Sequence, residues 1–81
     1  MHNIMSLFHV TAIWDDEAEV WVAEAQDFPG LIAQSPTVEG LIQELASVAP
    51  DLAELNHVPI TDGNIQFNIN LSRCATIPLA A

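Results

Sequence analysis

Asp27-Phe28-Pro29-Gly30 is the stretch on which the reading of this chain turns. It follows a Trp- and Val-rich segment, Val20-Trp21-Val22-Ala23, and precedes a short apolar run, Leu31-Ile32-Ala33. Proline holds φ near −65° and glycine tolerates positive φ, so Pro29-Gly30 dictates a tight turn between two extended segments. Asp27, Pro29 and Gly30 are accordingly assigned a structural role in that turn.

Upstream, Leu7 to Trp14 reads as a first strand, rich in aromatic and β-branched residues. Phe8, Val10, Ala12 and Trp14 make one apolar row, whereas Leu7, His9, Thr11 and Ile13 make a mixed one. Asp15 to Glu19 is a polar connection of hairpin length. The second strand runs from Val20 to Ala25. Trp21, Ala23 and Ala25 lie on one face, and Val20, Val22 and Glu24 on the other. Leu31 to Gln34 is a short third strand.

Downstream, Thr37 can cap a helix with its hydroxyl, although the third residue after it is Gly40 and not the Glu of a capping box. Val38, Leu41, Ile42, Leu45, Ala49 and Leu52 recur at helical spacing, with Gln43, Glu44, Ser47, Asp51 and Glu54 mostly opposite. Pro50 interrupts this pattern and predicts a kink, or a break with a second short helix starting there. Gly40 reads as an ordinary helical glycine, at which alanine would stabilise. Asn56 and His57 end the helical region, and Pro59 to Gly63 is a loop with Asp62-Gly63 as its turn. Ile65, Phe67, Ile69 and Leu71 then alternate with Gln66, Asn68 and Asn70, the pattern of a strand with one buried face. The result is an α+β fold of order βββαβ, with its helical region on one face of a sheet. One helical region cannot cover both faces. Leu7, Ile13, Val20 and Val22 on the other face therefore predict a homodimer or larger assembly formed through the sheet.

The 81 residues fit a single domain, 1–81, with a core of about residues 7–71. Hydrophobic residues make up 51% of the chain, more than a thin core of this size needs. Eleven acids face one base, Arg73, for a net charge of −10. That field repels phosphate backbones and anionic lipid, so neither nucleic acid nor membrane is expected as a partner. It favours a basic protein, or serves only to keep an apolar domain soluble. The lone Cys74 allows no internal disulfide, no cation precedes the first apolar residues as in a signal peptide, and a cytoplasmic location is expected.

Motifs for chemistry are sparse. Asp15, Asp16, Glu17 and Glu19 lack the spacing of a calcium loop and read as a solvated hairpin turn. Glu24 and Asp27 are the acids nearest to strand ends, where a two-metal hydrolase would need them. His2, His9 and His57 are far apart, Cys74 has no CxxC partner, no serine sits in Gly-x-Ser-x-Gly, and three glycines form no phosphate loop. No catalytic residue, metal or cofactor is assigned. Trp14 and Trp21 flank the hairpin, where they either pack against each other or stack a ligand.

The order Val20 to Ala25, then Gln26-Asp27-Phe28-Pro29-Gly30, then Thr37-Val38-Glu39-Gly40-Leu41, resembles the N-terminal domain of HicB-type antitoxins. The likeness spans roughly Phe8 to Leu71 and extends to short stand-alone relatives of that domain. It implies a cut-down RNase H-like βββαβ unit without a working catalytic site. It also implies a partner: HicA, a small basic toxin that cleaves RNA, which HicB proteins bind and block. The DNA-binding segment of full HicB proteins has no counterpart, because almost nothing follows Leu71, so autorepression is not carried over. On this reading Glu39, Glu44, Asp51 and Glu54 on the helix, with Asp15, Asp16 and Glu17 on the hairpin, steer a cationic partner. The alternative is a self-associating module that binds a small molecule or serves as an accessory subunit, with no toxin.

Overall fold

A computed structural model describes residues 7–60 and 63–80. The expected lead-in, Met1 to Ser6, and the first half of the Asp62-Gly63 turn lie outside the described residues. The described elements are β1 (Leu7–Asp15), β2 (Val20–Ala25), β3 (Ile32–Ser35), α1 (Val38–Leu55) and β4 (Gln66–Ser72). They form one mixed α+β unit in which a four-stranded sheet of order β3-β2-β1-β4 carries the helix on one face. β1 pairs antiparallel with β2 and parallel with β4, while β3 runs antiparallel to β2. β3 and β4, at opposite edges of the sheet, are therefore parallel, and α1 lies in the connection between them.

Side-chain alternation decides the faces. Val10 and Ala12 of β1, Ala23 of β2 and Ala33 of β3 are buried on the inner face. The register sets Phe8 beside Phe67, Val10 beside Ile69 and Ala12 beside Leu71, so the apolar row of β4 is also inward. That row is only half-buried, and Leu71 is exposed. The reason is lateral: α1 packs over β3 and β2, away from β4. Leu41, Leu45, Ala49 and Ala53, spaced four apart, form its buried ridge.

Phe28 fills part of the space that the helix leaves. Fully buried from inside the turn, it meets Phe8 edge-on at 4.9 Å and Phe67 at 5.8 Å between ring centroids. The turn beneath it has type II character. Leu31 N–H donates to the Phe28 carbonyl at 3.2 Å, and Gly30 stands at φ +78° in the position that needs a positive angle. The helix end then clamps the turn, because Asn56 Nδ2 donates both to the Pro29 carbonyl (3.3 Å) and to the Leu52 carbonyl (3.1 Å).

Thr37 caps α1 as its sequence suggests, accepting from Gly40 N–H at 3.0 Å. At the other end His57 takes φ +54°. His57 N–H bonds the Glu54 carbonyl and Val58 N–H the Ala53 carbonyl, the pairing of a Schellman motif with histidine in the usual glycine position. Between these caps the helix is one 18-residue element, so of the kink or break expected at Pro50 the break does not occur. Pro50 and Ala46 are both exposed, so the Ala46 carbonyl that loses its N–H partner lies on the watery side of the helix. The expectation for Gly40 also needs correction. A Cβ there would collide with Ser35 Oγ, which holds Thr37 N–H, and would lie 3.0 Å from Thr37 Oγ1.

Candidate functional site

Four features outside the core carry polar chemistry. The first is the outward face of α1. At about 100° per residue, Glu39, Glu44, Asp51 and Glu54 fall within an arc of roughly 140°, centred opposite the buried ridge. All four are exposed. The structure thus lines up the helix acids, and with about 1.5 Å rise per residue they span some 22 Å. Glu39 in the first turn favours the helix dipole, while the last turn holds no base to complement Glu54.

The second is the β1–β2 hairpin. Asp15 Oδ1 accepts from Glu17 N–H (3.0 Å) and Ala18 N–H (3.1 Å), and its carbonyl accepts from Glu19 N–H at 2.8 Å. Asp16 Oδ1 accepts from Trp14 Nε1 at 2.8 Å. Two of the three hairpin acids singled out above therefore fold the turn as well as charge it. All three hairpin acids join Thr11, Ile13, Val22 and Glu24 around an open depression of about 630 Å³ on the outer sheet face. The sheet and helix separate this depression from the α1 acids, so there are two acidic surfaces and not one.

The outer face itself is more polar than expected. Ile13 and Val22 pair across β1 and β2, and Leu7, Ile13 and Ile32 are exposed. Gln66, Asn68, Asn70 and Ser72 of β4 line the same face beside Leu7, His9, Thr11 and Ile13. Leu7 is thus parted from Ile13 by His9 and Thr11, and the apolar residues make a strip, not a sheet-wide patch. Val20, opposite Asp15 at the hairpin end, is half-buried.

The third is a pair that a single sequence does not reveal. The Asp27 carboxylate accepts from His9 main-chain N–H at 3.1 and 3.2 Å, and from His9 Nδ1 at 3.1 Å. The side-chain bond to His9, then the bond from its backbone, holds the Asp27 carboxyl below its usual value. Both side chains are exposed, so the link is a surface latch between the turn and the start of β1. It leaves Asp27 engaged by His9, while Glu24 faces the outer depression. No group of three His, Cys, Asp or Glu side chains suited to a metal occurs among the described residues.

The fourth is aromatic. Trp14 and Trp21 are cross-strand partners with ring centroids 5.3 Å apart at 68°. The Arg73 guanidinium lies 4.3 Å from the centre of the Trp14 ring. The two tryptophans pack on each other, and the chain's one base caps them.

This geometry meets a family match along nearly its whole length. A family described as a domain of unknown function, DUF1902, matches residues 7–79. The chain belongs to this family. A solved structure, a hypothetical protein (TTHA1013) from the extremely thermophilic bacterium Thermus thermophilus, is similar. It is 36% identical, with a TM-score of 0.65, and the match covers 90% of this chain and 99% of that one. No curated protein matches significantly. The shared fold is thus an α+β DUF1902 domain, and among its described residues no helix is long and apolar enough to cross a membrane.

Proposed function

We propose that this DUF1902 domain is a non-enzymatic, acidic protein-interaction module that occludes a small basic partner of the HicA RNase type. The observation that carries the reading is the placement of charge. Asp62 lies outside the described residues, and each of the other ten acids is exposed. Four of them form the outward stripe of α1. Such a surface attracts a cationic protein over roughly the Debye length, about 8 Å at physiological salt. It repels RNA and DNA for the same reason. The resemblance of the Val20–Leu41 segment to HicB domains supplies the class of partner. The test is RNA cleavage by a purified HicA-type RNase with increasing amounts of this protein. Stoichiometric inhibition that weakens with added salt supports the proposal, and undiminished cleavage at tenfold excess rejects it.

A second reading is favoured by exposed Ile13 and its cross-strand partner Val22: a self-associating module that joins copies through the outer sheet face. Sedimentation of the full chain and of Ile13→Asp separates the readings. Loss of an oligomer in the variant would support the sheet-face contact, and unchanged mass would reject it.

A further inference from the structure

Beyond β4 the chain leaves the body of the domain. Residues 73–80 are all exposed and belong to no element, and Ile77 and Leu79 are 75% and 91% exposed. The molecule measures 61 × 27 × 19 Å, with a radius of gyration of 15.6 Å. A compact chain of this length has about 12 Å. The family match nonetheless runs to residue 79, so this arm is part of the domain and not an appendage to it.

The same structure has an unfilled apolar groove. Because α1 sits over β3 and β2, a cleft of about 440 Å³ opens between the helix and β4. Ile42, Ala46, Ile65, Phe67 and Ile69 are among its walls, and among the described residues no charged side chain lines it. Ile42 is 44% exposed there.

We infer that the arm of one copy, residues 73–80, seats Ile77 and Leu79 in the α1–β4 groove of a second copy. Three observations select this occupant. First, charge is segregated along the chain: all eleven acids lie between Asp15 and Asp62, and residues 63–81 hold no acid and the only base, Arg73. Two copies, each at −10, repel each other through their acids, and the arm contributes none of that repulsion. Second, the arm cannot readily fill its own groove. The groove lies beside Gly63 to Ile69, at the start of β4, whereas the arm departs from the far end of that strand. Arg73, held over Trp14, roots the arm on the hairpin side, and reaching its own groove would require an immediate reversal. Third, apolar surface is unsatisfied on both parts of one chain, and exchange satisfies both at once. A reciprocal exchange closes after two copies, each giving one arm and one groove. This contact uses a different surface from the outer-face strip, and it does not depend on the basic-partner reading.

The test is sedimentation equilibrium of the full chain at tens of micromolar, with circular dichroism and melting to confirm folding. The expected mass is that of a dimer. Ile77→Asp/Leu79→Asp in the arm and Ile42→Asp in the groove should each weaken the dimer by roughly tenfold or more. Ala46→Asp, also on the groove wall, replaces Ile42→Asp if that variant melts early. An equimolar mixture of arm and groove variants should recover a mixed dimer, since one intact arm then meets one intact groove. A monomeric full chain, an arm variant with the parent's mass, or a mixture that stays monomeric would each overturn the inference. Dissociation by Ile13→Asp alone would move the interface to the outer sheet face.

Discussion

Phe28→Ala should remove a large part of the stability of this domain. Phe28 is fully buried and stacks against Phe8 and Phe67 where the helix offers no cover. Truncating a buried Phe typically costs about 3–5 kcal/mol, as transfer free energy and a residual cavity. The upper half of that range applies here, because the turn carrying Phe28 is pinned by Asn56 at one end and by His9 at the other, which limits collapse into the gap. An 81-residue domain has a total stability of about 4–12 kcal/mol. The variant should therefore lose a third of its stability or more, a fall in Tm of about 15–30 °C. Phe28→Leu, which keeps most of the volume, should lose about 1–2 kcal/mol. Urea unfolding followed by far-UV circular dichroism reads both. A loss below about 1 kcal/mol for Phe28→Ala would refute the placement of this ring as the plug between turn and sheet.

Gly30→Val should destabilise by about 2 kcal/mol or more, since a β-branched residue is strained at φ +78° and a Cβ there already lies 3.4 Å from Leu52; a thermal melt equal to the parent's would contradict it. Gly40→Ala should destabilise by roughly 1 kcal/mol instead of gaining helix propensity, because it displaces Ser35 Oγ from the N-terminus of α1, and a raised Tm would show that Ser35 simply rotates away. Asp27 has a depressed pKa, so its latch stabilises above the ordinary value of 3.8 and is lost as pH falls through the lower folded value. The melting temperature of Asp27→Ala should therefore lie below the parent's at neutral pH and converge with it in strong acid, whereas a constant gap across that window would detach the latch from the carboxylate. The unmodified protein should not shift a labelled RNA in a gel at physiological salt, and tight binding there would overturn the electrostatic assignment of its partner.

Much of the fold is legible in the residues because the local signals agree. Period-2 rows mark β1 and β4, Thr37 marks the start of the helix, and Pro29-Gly30 marks the turn, and each holds in the structure. Of the two outcomes Pro50 allows, the break does not occur, because propensity is local while the exposed side of a packed helix tolerates a missing hydrogen bond. Gly40 misleads because its neighbour in space, Ser35, belongs to the preceding strand. The buried plug was hidden for a related reason: Phe28 sits in a polar turn, and only its size, out of place among Asp, Pro and Gly, hinted at burial. His9 and Asp27 are separated by 18 residues, and nothing in a single chain pairs them before the sheet register is known. The acid stripe on α1 was legible from helical spacing alone, whereas the lateral offset of α1, and with it the groove beside β4, depends on how the ridge of Leu41, Leu45, Ala49 and Ala53 docks.

The most direct test of the proposed role is the association rate of this protein with a HicA-type RNase, measured by stopped flow across ionic strength. Charge reversal of Glu39, Glu44, Asp51 and Glu54 to Lys should leave the fold intact, since all four side chains face water. This variant should associate at least about tenfold more slowly than the parent at low salt, with the difference shrinking as salt screens the field. Equal rates at low salt would contradict it, and would take the partner surface off the outward face of α1.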